Sequence, residues 1–271
     1  MRVLRLPESV DPHPALFQWE RVLTAAVAIP IVVLLTIFAP DSIFALVIGL
    51  FAAAAVEEFL ALAAKRGIGR PGRWFLVVAA LVAMSFSAGS SWVLGALVVA
   101  TLVLMVTSIF YPSTEAALGR VGMGLGSIVY CPLTLGFIVL IPRKQVLLLF
   151  AIIWIGDAAA YYCGRAMGRH LLAPKVSPKK TIEGALAGLM GSTIAGLVGG
   201  TLFLGGGWAN LVWISSLTAI AGQLGDLAES VLKRSAGVKD SSSIVPGHGG
   251  ILDRLDSLFF AAPVFYWLLM S

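Results

Sequence analysis

Between Ser230 and Ser257 the sequence reads SVLKRSAGVKDSSSIVPGHGGILDRLDS, a polar island in an otherwise apolar chain. It gathers Lys233, Arg234, Lys239 and Arg254 beside Asp240, Asp253 and Asp256. Gly247, Gly249 and Gly250 let backbone approach a neighbour closely, as at a phosphate-binding turn. Cations, hard oxygen ligands and bare backbone amides together suit a nucleoside triphosphate with its metal. His248, set between glycines, reads as a turn residue or hydrogen-bond donor, because a ligand histidine would want nitrogen or sulfur company.

The segments before this island add to it. In AGQLGDLAESVLKRS, Gln223, Asp226 and Ser230 share one helical face, Lys233 continues it and Glu229 sits close by. A polar stripe on an apolar helix argues for a cavity. Asp253 and Asp256, three apart, share a face if their segment is helical. Carboxylates without a Cys or His cluster suit magnesium, which is commonly shared with substrate phosphates. In WIGDAAAYYCGRAMGR, Asp157, Tyr161 and Arg165 recur every four residues and form either a polar lining or a structural ion pair. Ser177-Pro178-Lys179-Lys180-Thr181 precedes Glu183 and a helix, so hydroxyls, ammoniums and a helix N-terminus can all meet an anion. Membrane topology alone would also account for the two lysines.

These residues need a scaffold, and composition says which kind. Hydrophobic residues are 59% of the chain and charged ones 12%, about half the charge of a soluble domain. Apolar runs at 22–38, 42–64, 74–86, 92–110, 122–141, 146–163, 184–204, 208–228 and 258–270 predict an all-α polytopic membrane protein of about nine helices. The third and ninth runs are short, and either borrow polar flanking residues or fail to cross fully. With a cytoplasmic N-terminus, the even-numbered helices return the chain to the cytoplasm, and all of the 19 Lys and Arg residues except Arg143 and Lys144 fall on that side. The net charge of +5 is then mainly a topology signal, with no tail suited to nucleic acid. The first run lacks a small-residue cleavage site and reads as an uncleaved helix.

The chain divides into a scaffold over 1–144 and a catalytic half over 145–271. In the first half Glu57 and Glu58 stand out, since a carboxylate at membrane depth costs about 2.5–3.5 kcal/mol on insertion scales. The simpler expectation is that both snorkel at the cytoplasmic end of the second helix, pairing with Lys65 or water. Gly119, Gly122, Gly124 and Gly126 have no preceding strand and read as close helix packing, as do Gly184, Gly188, Gly196 and Gly200. Cys131 and Cys163 make no disulfide framework, and His13, His170 and His248 are too scattered for zinc.

The polar positions of the 230–257 segment resemble the signature of the phosphatidate cytidylyltransferase (CDP-diacylglycerol synthase) family, with no departure among them. SPKKTIEG and WIGDAAAYYCGRAMGR are similar to the same family, so the resemblance runs motif by motif from about Trp154 to the C-terminus. It implies a multi-helix inner-membrane enzyme that condenses CTP with phosphatidic acid, giving CDP-diacylglycerol and pyrophosphate, with divalent metal required. On that basis Asp226 and Asp253 are expected at the Mg2+, with Asp256 as a second ligand or an orienting residue, and with Lys239 and Asp240 in the catalytic segment. Lys179, Lys180, Lys233, Arg234 and Arg254 are expected at phosphates, and Ser177, Thr181, Ser230, His248, Gly249 and Gly250 at hydrogen bonds to substrate. A potassium ion beside the magnesium and a homodimer are implied by the family alone. Competing functions are a CTP-using enzyme of another lipid, such as a CDP-archaeol synthase or polyprenol kinase, and a transporter built on Asp157, Asp226 and Glu57.

Overall fold

The structure is a computed structural model that describes residues 16–111, 114–204, 207–242 and 249–271, with side chains from residue 26 onward. Among them are ten α-helices: α1 Leu16–Phe38, α2 Asp41–Ala64, α3 Trp74–Met84, α4 Ser90–Ser108, α5 Ala117–Tyr130, α6 Pro132–Leu140, α7 Arg143–Met167, α8 Ile182–Phe203, α9 Trp208–Ser235 and α10 Leu252–Met270. In hydrocarbon each backbone amide must bond within its own segment, so apolar runs of this length become helices. Among the described residues, six units of 19 to 28 residues are long and apolar enough to cross a membrane, counting α5 and α6 as one. Large apolar side chains remain exposed along the flanks, among them Leu50, Leu81, Val98, Leu102, Leu202 and Trp213. A surface of that kind is solvated by lipid, and the protein is an all-α polytopic membrane protein.

Each apolar run of the sequence holds helix, with three departures in detail. The fifth is broken between α5 and α6, where Pro132 takes the first position of the new helix and cannot continue the hydrogen bonding of the old one. The third stays short even with the 3-10 turn Ser85–Ala88 that extends it. The ninth starts earlier than its apolar run and takes in Asp253, Arg254 and Asp256, reaching 19 residues and about 28 Å. The segment before α8, for which the sequence predicts no element, is a small antiparallel hairpin of β1 Leu171–Ala173 and β2 Ser177–Thr181, with Leu171 opposite Thr181 and Ala173 opposite Ser177.

One core joins α2, α3, α6, α7 and α10, with Phe75, Phe259 and Phe265 fully buried in it. Tyr130 packs its ring 4.6 Å from that of Phe259, at the α5 to α6 break. Cys131, beside it, is buried and unbridged, and Cys163 is also a free thiol. The layer of α7, α8 and α9 is held differently, by close backbone approach. A Cβ on Gly184 would lie 2.8 Å from the Ala160 carbonyl, and one on Gly200 2.6 Å from Leu211. The four glycines of α8 thus serve helix contact, as their spacing predicts. The α5 set does so only in part: Gly124 meets Leu104 and Pro71 and Gly119 meets Ile68, whereas Gly122 and Gly126 face open space.

Charged contacts mark both ends of the bundle. At one end Arg143 donates to Asp41 at 2.7 Å and lies 3.6 Å from the Phe44 ring centroid, joining the starts of α7 and α2. At the other, the ends of α2, α7 and α9 meet the starts of α8 and α10, and the remaining ion pairs among the described residues collect there.

Candidate active site

The centre of that polar end is a turn wrapped around two carboxylates. Glu58, on the last turns of α2, is only 2% exposed. It accepts four hydrogen bonds: from Ser241 Oγ at 2.7 Å, Ser242 Oγ at 2.7 Å, the Ile251 amide at 2.9 Å and the Leu252 amide at 2.8 Å. The last two are unpaired donors at the start of α10, where a negative charge also complements the helix dipole. Asp253 closes the turn from the other side. Its Oδ2 accepts from the Ser241 amide at 2.9 Å, Ser241 Oγ at 2.8 Å and the Gly250 amide at 2.8 Å.

The glycines of the motif follow from this arrangement. Gly249 has a φ of +83°, a left-handed conformation that disfavours a side chain. Gly250 leaves no room for a Cβ between Ser241 and the Glu58 carboxylate. The close approach expected of these glycines is therefore to the protein's own carboxylates. Glu57 and Glu58 also divide. Glu57 is half-exposed and pairs with Arg70, not with Lys65, while Glu58 is buried and fully engaged.

Lys233 lies inside the protein, 9% exposed, between Glu229 and Asp253. It pairs with the wholly buried Glu229 one turn back on α9 and donates to Asp253 Oδ1 at 2.6 Å. Both oxygens of Asp253 are thereby occupied. Arg234, one residue on, is exposed, and its guanidinium donates to the carbonyls of Val176 at 3.1 Å and Val238 at 2.9 Å. It straps the hairpin to the end of α9.

A second group of carboxylates stands beside this turn. α9 and α10 touch where a Cβ on Gly225 would meet the Asp256 carbonyl at 2.5 Å, which brings Asp226 next to Asp256. Asp157 of α7 completes the group: Asp226 and Asp157 both bear electrostatically on Asp256, and Lys180 and Arg254 bear on Asp157. Lys180 reaches from β2 to pair with Asp226. The Asp157, Tyr161 and Arg165 face is exposed, with Arg165 donating to the Tyr161 hydroxyl at 3.4 Å. No ion pair joins Asp157 to Arg165 among the described residues, and Asp157 links this face to the acidic group.

The hairpin is fixed at its base. Thr181 caps α8 by accepting from the Gly184 amide at 3.1 Å, and Glu183 accepts from the Arg169 and His170 amides at 3.1 and 3.2 Å. Lys179 is exposed on β2 and Ser177 half-buried at its start. Lys239 and Asp240 are exposed beyond α9, and Ser230 is buried within it. Gln223, on the same helix face, donates to the Ala185 carbonyl at 3.0 Å and ties α9 to α8. Gly247 and His248 lie outside the described residues.

Among the described residues no three His, Cys, Asp or Glu side chains form a ready-made chelating cluster. Magnesium does not require one, because it takes one or two carboxylates and fills its octahedron with water and substrate phosphate oxygens. Asp226 and Asp256 are neighbouring carboxylates whose chemistry would suit such an ion, whereas Asp253 has both oxygens engaged by protein groups.

The chain is similar to phosphatidate cytidylyltransferases over part of its length. It is 47% identical over 122 residues to that of Brucella suis biovar 1, covering 45% of each chain. It is 47% identical over 129 residues to that of Staphylococcus haemolyticus, covering 46% of this chain and 49% of the relative. The Synechocystis sp. protein is 46% identical over 125 residues, covering 46% and 42%. The matches thus span under half the length of these curated relatives. A broader match comes from the sequence profile of the Cytidylyltransferase family, which covers residues 19–271 and so takes in the scaffold helices together with the carboxylate-anchored turn; the chain belongs to that family.

Proposed function

We propose that the protein transfers CMP from CTP to phosphatidic acid, releasing pyrophosphate and leaving CDP-diacylglycerol in the membrane. The observation that carries this reading is the acidic group Asp157, Asp226 and Asp256, flanked by Lys180 and Arg254 at one end of a lipid-solvated bundle. Partial identity to phosphatidate cytidylyltransferases supports the choice of substrates.

The chemistry asks little of a base. Phosphatidate is already an anion, and its phosphate oxygen attacks the α-phosphorus of CTP as the bond to the bridging oxygen of pyrophosphate breaks. The barrier lies in bringing anions together and in neutralising the charge that builds on the leaving group. Lys180, Arg254 and the exposed Lys179 supply fixed positive charge for that purpose. Asp226 and Asp256 would hold the magnesium, which would supply positive charge to offset that of the triphosphate. Glu58 and Asp253 hold the turn that presents Arg254 and Asp256 in one orientation.

A lipid with two acyl chains cannot leave the bilayer cheaply, at about 0.8 kcal/mol per CH2, while CTP is water-borne. The site therefore has to meet both phases, as helix ends at one face of the membrane do. The polar end faces the cytoplasm in this reading, in the inner membrane of the cell, because the lysines and arginines collect there. Single cysteines placed at Lys179 and Asp240 are expected to react with a membrane-impermeant reagent only from the cytoplasmic side of oriented vesicles. Reaction of both from outside would overturn the orientation.

The assay for the reaction uses purified protein with CTP, phosphatidic acid and magnesium, scored for lipid-linked CMP and pyrophosphate. Release of CDP instead would indicate a kinase, and solute uptake without nucleotide turnover a transporter. Asp226→Asn and Asp256→Asn are each expected to lower turnover by at least about 100-fold, with the unfolding temperature retained. Unchanged turnover and unchanged magnesium dependence in either variant would remove that residue from the ion site.

A further inference from the structure

A cavity of about 390 Å³ lies between α1, α2, α6, α7 and α10, away from the hairpin. Its size is within the roughly 300–1,000 Å³ of small-molecule sites. The walls are hydrocarbon, from Ile48, Ile138, Trp154 and Leu258. Thr36 also reaches it, but its hydroxyl donates to the Val32 carbonyl at 2.7 Å and has no proton left to give an anionic ligand. Water needs two to four polar partners, which such walls do not supply.

Two features give the cavity a direction. It runs along the bundle, since Phe44 and Phe51 both border it and lie about 10 Å apart along α2. It also opens sideways: Phe51 and Ile29 border it and are 38% and 42% exposed on the apolar flank. At the polar end its one charged border is Arg254, which also bears electrostatically on Asp157 of the acidic group. A long apolar slot open to lipid, with one cation where it meets the site, matches an amphiphile with a single anionic head.

We propose that this cavity holds an acyl chain of phosphatidate, with the lipid phosphate at Arg254. The proposal rests on the transferase reading for the identity of the lipid and adds the place where that lipid binds. The chain slides in from the bilayer between α1 and α2, and its phosphate comes to rest between the slot and the carboxylates. Arg254 serves as the divider, since a guanidinium presents a planar fork of donors to phosphate.

The test uses the intact protein in phosphatidylcholine nanodiscs, titrated with phosphatidate brominated in its acyl chains, and reads tryptophan fluorescence. Trp154 borders the slot, so a saturating component of quenching is expected above the background from lipid-facing tryptophans such as Trp213, and that component is expected to be lost in Trp154→Phe. Arg254→Gln is expected to raise the half-saturating phosphatidate fraction about tenfold. An unchanged saturating component in Trp154→Phe, the same saturating component with brominated phosphatidylcholine, or no shift in Arg254→Gln would each overturn the proposal. Activity gives a second readout, in which Ile48→Phe lowers kcat/KM for dioleoyl phosphatidate about tenfold and leaves dihexanoyl phosphatidate unchanged. Equal effects on both lipids would count against the slot. Failure of the transferase reading shows itself separately, as no CDP-diacylglycerol from either lipid, while the quenching still decides whether the slot takes an acyl chain.

Discussion

Glu58→Ala is expected to cost at least tenfold in CTP-dependent transfer and to lower the unfolding temperature by several degrees, although Glu58 lies about 170 residues before the motif it serves. The four donors it satisfies are not equal. Ser241 keeps Asp253 as an acceptor, and the half-buried Ser242 hydroxyl can turn toward water. The amides of Ile251 and Leu252 have no such recourse at the first turn of α10, and stranding each costs about 1–3 kcal/mol. Each 1.4 kcal/mol taken from the ordered turn lowers its equilibrium constant tenfold. Glu58→Gln should do almost as badly, because one end of its amide is itself a donor and would face donors. Thermal unfolding in detergent, run beside the transfer assay, checks both variants. Wild-type values for Glu58→Ala in both measurements would show that the turn holds without it.

That residue also marks where the sequence was legible and where it was not. The nine apolar runs all became helix because lipid leaves the backbone no alternative, and the α8 glycines pack as their four-residue spacing says. The hairpin over 171–181 was missed because three and five residues of strand carry too little periodicity, and Ser177-Pro178 reads as a break. The spacing puts Asp253 and Asp256 on one helix and Asp226 on another, but the meeting of Asp226 with Asp256 across α9 and α10, and the addition of Asp157 from α7, are tertiary events that no spacing encodes. Glu58 stood out as a carboxylate at membrane depth, yet its role needs partners more than 180 positions away. Cationic residues were the most ambiguous. A lysine near a helix end can set topology, hold a phosphate or neutralise a neighbour, and only the buried setting of Lys233 separates these.

Lys233→Met is the sharpest test of that separation. With the ammonium gone, the wholly buried Glu229 loses its ion-pair partner, and Asp253 keeps only the hydrogen bonds on its other oxygen. Removing one partner of a buried ion pair costs about 3–5 kcal/mol, since the charge left behind remains desolvated. The variant is therefore expected to unfold at a markedly lower temperature without any ligand present. Glu229→Gln alone should be milder, because Lys233 retains Asp253. The double variant Glu229→Gln, Lys233→Met should recover part of the stability lost in Lys233→Met, because a neutral amide replaces the stranded carboxylate. A lysine whose task was to meet substrate phosphate would behave otherwise: its removal would leave the unfolding temperature of the free protein in place and depress transfer alone. That second pattern would move Lys233 out of the buried triad and into the substrate site.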